Sequence, residues 1–156
     1  MKDEQQPQLW EEVLERLRIV EDELAVHRLL VNYGLAVDSG DREALCHLLT
    51  EDAVYDLDSL HIVGREAIAD AVFSGAHGAV PPLAAHTVGP LVVKLDGDRA
   101  TARGYSRLYV AQEEGFVLWR LSLNRWLCVR TADGWRIAHR VTRLVGTAAA
   151  TELFRS

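Results

Sequence analysis

The sequence predicts a single α+β domain, with helices packed on one face of a curved, largely antiparallel sheet. Three observations carry this. Apolar residues across 8–38 recur at helical spacing, and from His86 onward the period becomes two over four long runs. The change of period happens once, across a loop of small residues, with no internal repeat and no linker.

In the first half, Leu9, Val13, Leu17 and Val20 recur at spacings of three and four, and Leu24, His27, Val31, Gly34 and Asp38 continue the stripe. This helix is expected to end at Ser39-Gly40, where glycine accepts the left-handed cap conformation. Asp41 then reads as the N-cap of a short helix over Arg42 to Leu49. A short strand follows at Ala53 to Leu57, and Gly64-Arg65-Glu66-Ala67-Ile68 opens a third helix reaching Phe73.

Residues 74–85 hold two glycines and a Pro-Pro pair and read as a loop. Beyond them, strands are expected over 86–95, 99–112, 116–131 and 134–145. Asp96-Gly97-Asp98 and Ala132-Asp133-Gly134 are the hairpin turns, and Glu113-Glu114-Gly115 joins the middle pair.

Composition removes several function classes. With 156 residues, 49% hydrophobic and 26% charged, the chain suits one ordinary domain and is not a disordered segment. No run approaches the roughly 18 apolar residues of a membrane span. The acidic, polar Met1–Gln6 segment does not read as a secretory signal. Cys46 and Cys128 are far apart and form no paired motif, so reduced thiols and a cytoplasmic location are expected. The net charge of −6 is uneven: residues 1–60 carry 15 acids and 5 bases, and residues 61–156 carry 8 acids and 12 bases. The later bases stand singly along strand-like runs without a cluster, which argues against a nucleic-acid surface.

Two residues draw attention as a chemical pair. A carboxylate in the last helical turn, as at Asp38, faces the negative end of the helix dipole at a cost of about 0.3–1 kcal/mol. Asp38 either bonds locally in the Asp-Ser-Gly-Asp turn or serves a function. His86 begins the first long strand, where its imidazole can meet the helix end and form a general acid/base unit with Asp38. On the third long strand Ser122, Asn124 and Trp126 share one face, and two buried polar side chains there need partners, either a ligand oxygen or protein and water. Gly34 leaves space for a ligand or marks a tight helix–sheet contact. No spacing of histidines, cysteines and carboxylates suggests a metal site, and the phosphate-binding and nucleophile-elbow motifs are absent.

The ordered set Tyr33-Gly-Leu-Ala-Val-Asp38-Ser-Gly-Asp41, Leu49-Thr-Glu-Asp-Ala-Val54, Gly64-Arg-Glu-Ala-Ile68, His86, Asp96-Gly-Asp-Arg-Ala-Thr-Ala102 and Asn124-Arg-Trp126 followed by Asp133-Gly-Trp-Arg-Ile137 resembles the nuclear-transport-factor-2-like, or SnoaL-like, superfamily. The resemblance covers roughly 20–145, leaving 1–19 as a helical extension and 146–156 as a C-terminal tail. It implies a cone-shaped barrel: a long bent helix plus two short helices packed on a curved mixed, mainly antiparallel sheet. Within the superfamily the site pattern is most similar to the branch of scytalone dehydratase, hexachlorocyclohexane dehydrochlorinase and the bile-acid 7α-dehydratases. That similarity implies an Asp38–His86 dyad, Tyr33 as a third catalytic group, and Ser122 and Asn124 as a polar pair lining the pocket. Val37, Leu57 and Ser106 depart from residues of scytalone dehydratase, which speaks against scytalone itself as substrate, and Gly89 stands where many SnoaL-like sequences carry a substrate-orienting asparagine.

The function expected from this is a cofactor-independent lyase (dehydratase) or isomerase acting on a hydrophobic, ring-containing compound, steroid-like or polyketide. His86, oriented by Asp38, would remove a proton next to a carbonyl. Tyr33 would donate to the leaving hydroxyl or enolate, and Leu30, Val88, Leu108 and Trp126 would form apolar walls, with 74–84 as a lid. A polyketide cyclase, a non-catalytic binding module and an assembly subunit are the alternatives. A homo-oligomer, trimer or dimer, is expected, with no nucleic acid, membrane, metal or cofactor as partner.

Overall fold

A computed structural model describes residues 5–58, 60–74 and 83–155. Helix α1 (Gln5–Asp38) is followed by α2 (Arg42–His47), β1 (Leu49–Leu57), β2 (Leu60–Val63) and α3 (Arg65–Phe73). Then come β3 (Ala84–Asp96), β4 (Arg99–Gln112), β5 (Gly115–Thr131), β6 (Gly134–Leu144) and α4 (Ala148–Arg155). The strands form one sheet in the order β2-β1-β6-β5-β4-β3. Only β1 and β6 run parallel; the other pairs are antiparallel.

The helix boundaries follow their chemistry. Gly40 takes φ +71° just past α1, a conformation that costs glycine least. Asp41 caps α2 by accepting from the Ala44 N–H at 2.9 Å.

The expected barrel is corrected. The six-stranded sheet is open, ending at β2 on one side and β3 on the other, and these edges do not pair. β2 has only four residues, and helices rather than hydrogen bonds close the open side: α1 packs along β3, and α3 packs on β1 and β2. Nor do all helices share one face. The tail carries α4, whose Leu153 packs with Leu123 and Val141 on the outer side of the sheet.

The inner side holds the core. Ala53, Tyr55, Ala100, Ala102, Trp126, Cys128 and Ile137 from the sheet meet Leu45 of α2, Ile68 and Ala69 of α3, and α1. The buried face of α1 is Val26, Leu29, Leu30, Tyr33 and Ala36, spaced mainly by three and four. The stripe expected there, through Leu24 and Val31, instead faces outward, with those two residues 47% and 46% exposed. The helix carries two apolar stripes on roughly opposite sides, and periodicity alone does not choose between them. Gly34 and Asp38 at the end of the expected stripe do reach β3.

A polar clamp fixes α1 to the far end of the sheet. Arg130 of β5 donates to both carboxylate oxygens of Asp22 at 2.8 and 2.6 Å, and the Trp135 indole N–H of β6 donates to the same carboxylate at 3.1 Å. Among the described residues no helix is long and apolar enough to cross a membrane.

Candidate functional site

The end of α1 and the start of β3 meet because Gly34 permits it. A Cβ there would stand 2.8 Å from the His86 carbonyl oxygen and 3.3 Å from its Cβ, so the glycine serves a tight helix–strand contact. One turn later, the Asp38 carboxylate spans to the strand. Its Oδ1 lies 2.5 Å from His86 Nδ1, and its Oδ2 accepts the His86 backbone N–H at 2.7 Å. Each side chain is 21% exposed, so the contact is shielded from most solvent. Asp38 therefore bonds across the fold rather than only within its own turn. An ionised carboxylate accepts and does not donate, so the ring proton belongs on Nδ1 and the Nε2 lone pair stays free to take a proton.

Deeper inside, a second polar centre forms around Arg140 of β6. Its guanidinium is buried and lies 4.8 Å from the ring centre of Tyr33, 5.6 Å from Tyr55 and 5.9 Å from Trp126. Nε and Nη2 both donate to Asn124 Oδ1, at 3.1 and 3.0 Å. Among the described residues no carboxylate pairs with this cation. Three buried polar atoms around it have no hydrogen-bond partner among the described residues: the Tyr55 hydroxyl, the Trp126 indole nitrogen and the Thr142 hydroxyl. Register explains the gathering, since Arg140 stands opposite Trp126 on β5 and Tyr55 on β1, and Thr142 stands opposite Asn124. Burial pushes the Tyr55 phenol well above its usual range, and the neighbouring Tyr33 adds to that, while the Arg140 charge opposes it. Tyr55 is therefore a neutral hydrogen-bond donor. The ring of Tyr33 lies 6.1 Å from that of Tyr55.

The expected polar pair is engaged by protein. The Asn124 amide donates to Ser106 Oγ at 2.8 Å while its oxygen receives Arg140. Ser122 Oγ accepts from Arg120 Nε at 2.8 Å, and Arg120 in turn pairs with Asp58. Leu30, Leu108 and Trp126 are buried, and Val88 packs half-buried against the core. The candidate lid falls mostly at 75–82, outside the described residues. A groove of about 540 Å³ is lined by Val92, Lys94, Arg103, Trp126, Leu127 and Val141; of the expected site residues it takes in Trp126, and the acid/base pair is not part of it.

Sequence reasoning missed Arg140, Tyr55 and Thr142. Counting by twos from Trp135 and Ile137 sends Arg140 to the solvent side. A register shift in the pairing of β5 with β6, beside Leu127 and Cys128, reverses that phase and turns Arg140 inward. The bulge left no signal in the residue types.

Comparison with known proteins agrees with this architecture. A nuclear-transport-factor-2-like protein with a cystatin-like fold from Novosphingobium aromaticivorans superposes with a TM-score of 0.82 at 37% identity, covering 90% of this chain and 94% of that one. A protein of unknown function from Mycobacterium tuberculosis, solved as a point variant, gives 0.74 at 26% identity over 88% and 78% of the two chains. An uncharacterized protein of Mycobacterium tuberculosis is 34% identical over 128 residues, 78% of this chain and 84% of its own length. None of these singles out the dehydratase branch within the superfamily. The fold is one that serves catalysis or small-molecule binding, and here it holds a shielded His–Asp pair. The SnoaL-like domain family matches residues 18–141, and the chain belongs to it.

Proposed function

We propose that this protein is an acid/base enzyme acting on a hydrophobic, ring-containing substrate that carries an enolisable carbonyl. The observation that carries the reading is the two-point grip of Asp38 on His86, which leaves Nε2 as the base. In this scheme His86 takes a proton from the carbon beside the carbonyl. The electron pair moves to the carbonyl oxygen, and Asp38 stabilises the imidazolium that forms. Arg140 is the cation available to the developing oxyanion, supported by the hydroxyls of Tyr33 and Tyr55. The enolate then collapses by expelling a β-hydroxyl, by taking the proton back at another carbon, or by attacking a second carbonyl. These outcomes are dehydration, where the C–O bond breaks and the imidazolium proton leaves with the hydroxyl as water; isomerisation; and cyclisation, where a C–C bond forms and that proton goes to the new alkoxide.

The other residues have supporting roles in the scheme. Asn124 aims Arg140, the Ser106 hydroxyl and the Ser122 backbone carbonyl accept from the Asn124 amide behind it, and Leu30, Val88, Leu108 and Trp126 give the apolar walls. A homo-oligomer with one site per chain fits this reading.

A second reading has its own observation. The unpartnered Tyr55, Trp126 and Thr142 atoms would be satisfied equally by a ligand that is held and not transformed. One experiment separates the two. Ring-containing ketones and β-hydroxyketones are screened by thermal shift, and each binder is followed for change in ultraviolet absorbance. The enzyme reading expects turnover by the wild type and loss of about 10²–10⁴-fold in His86→Gln, with binding retained. Binding without turnover across the panel overturns it in favour of the binding module.

A further inference from the structure

The outward stripe of α1 has the spacing of a coiled-coil seam. Trp10, Val13, Leu17, Val20, Leu24, His27 and Val31 follow one another at intervals of three and four without a break. The six apolar members are each between 42% and 60% exposed. Every residue from Gln8 to Glu21 is exposed, so this stretch, about 20 Å long, is left uncovered by the described residues of its own chain. A free-standing helix of that length is marginal in water, and packing of an apolar face is what ordinarily holds one together.

The residues flanking the seam say what covers it. With Trp10, Leu17 and Leu24 at a positions and Val13 and Val20 at d positions, the g positions are Leu9, Arg16 and Glu23. The e positions are Leu14, Glu21 and Arg28. In a parallel, in-register pair each g residue faces the e residue five further along the other helix. That places Leu9 against Leu14, Arg16 against Glu21, and Glu23 against Arg28, so every flanking pair matches in character or in sign. An antiparallel pairing that matches Arg16 with Glu23 sets Leu14 against Glu21 instead. His27 is the single polar residue among these seam positions.

We propose that the exposed half of α1 is a self-association element, which packs parallel and in register against the same helix of a second copy of this chain. The interface is separate from the Asp38–His86 pair and does not depend on what the site binds.

The test uses the full chain and sedimentation across a micromolar concentration range, with circular dichroism to confirm folding. The wild type is expected to self-associate, and Leu17→Glu, which touches no core residue, to dissociate the assembly. Arg16→Glu and Glu21→Arg alone are each expected to weaken association by about tenfold, since both symmetric copies of a pair become repulsive. The double variant Arg16→Glu/Glu21→Arg is expected to restore it. Mixing the two single variants should give a mixed assembly in preference to either alone. A monomeric wild type, or association unchanged in Leu17→Glu, overturns the element. Failure of the double swap to restore association overturns the parallel register.

Discussion

Asp38 holds His86 at two atoms, the ring Nδ1 at 2.5 Å and the backbone N–H at 2.7 Å, so one carboxylate fixes both the tautomer and the position of the imidazole. The backbone contact matters because it ties the strand, and not only the ring, to the helix end. In alkaline buffer the ring nitrogens of His86 are expected to show the Nδ1–H tautomer by ¹⁵N NMR. Asp38→Ala should shift that population toward the other tautomer. An unchanged tautomer in the variant would mean that the carboxylate does not set the free lone pair on Nε2.

Gly34 is expected to resist the substitution that helices usually welcome. Alanine in a helix interior is worth about 1 kcal/mol over glycine. Here the new methyl would stand 2.8 Å from the His86 carbonyl oxygen, and a backbone oxygen retreats only if β3 moves. The steric term is the larger, so Gly34→Ala should lower stability by about 1–3 kcal/mol in urea unfolding. The His86 resonances should move as well. A stabilised variant would show that the edge strand yields freely.

Much of this was legible in the residues, for identifiable reasons. Asp41, Gly40 and the Asp-Gly turns are local signals, and local signals set the element boundaries. Asp38 and His86 were legible because each sits at an element end, where chemistry stands out from packing. What failed was non-local. Whether the sheet closes depends on two edges that lie on either side of α3 in the chain and never meet, β2 and β3, and β2 is too short to read. The choice between the two stripes of α1 depends on which face the sheet offers. Arg140 was hidden by one bulge, since a single extra residue exchanges the inner and outer sides of a strand.

The two cysteines should differ sharply toward a thiol reagent. Cys128 is fully buried in the core, and burial pushes its thiol up to about 12. The thiolate is the reactive form, so Cys128 should stay silent in the native protein. Cys46 is only half-buried, and its thiol is also raised, first by burial and then by the charge of Glu66. Native protein should therefore show one slowly reacting thiol with a chromogenic disulfide, and denaturant should reveal the second. Fast labelling of two thiols without denaturant would contradict the packing of β5 described above.

The clamp between Asp22 and Arg130 should make stability depend on acid. The Arg130 guanidinium holds the Asp22 carboxyl below its ordinary 3.8, with the Trp135 N–H assisting and burial opposing. A carboxyl lowered on folding leaves the native state with fewer bound protons than the unfolded chain. Its contribution is then complete above the unfolded value and is lost as pH falls through the folded one. Asp56, lowered in the same direction by Arg143, adds to the trend. Both ion pairs are partly exposed, so Asp22→Asn is expected to cost only about 1 kcal/mol near neutral pH. The cost should shrink as the pH drops below 3.8, where the unfolded chain takes up a proton that the native carboxyl still lacks, and vanish once the pH passes the lowered native value. Urea midpoints of wild type and variant near neutrality and again in acid measure this directly. A gap that stays constant across that range would show that Asp22 acts through its hydrogen bonds alone, and not through its charge.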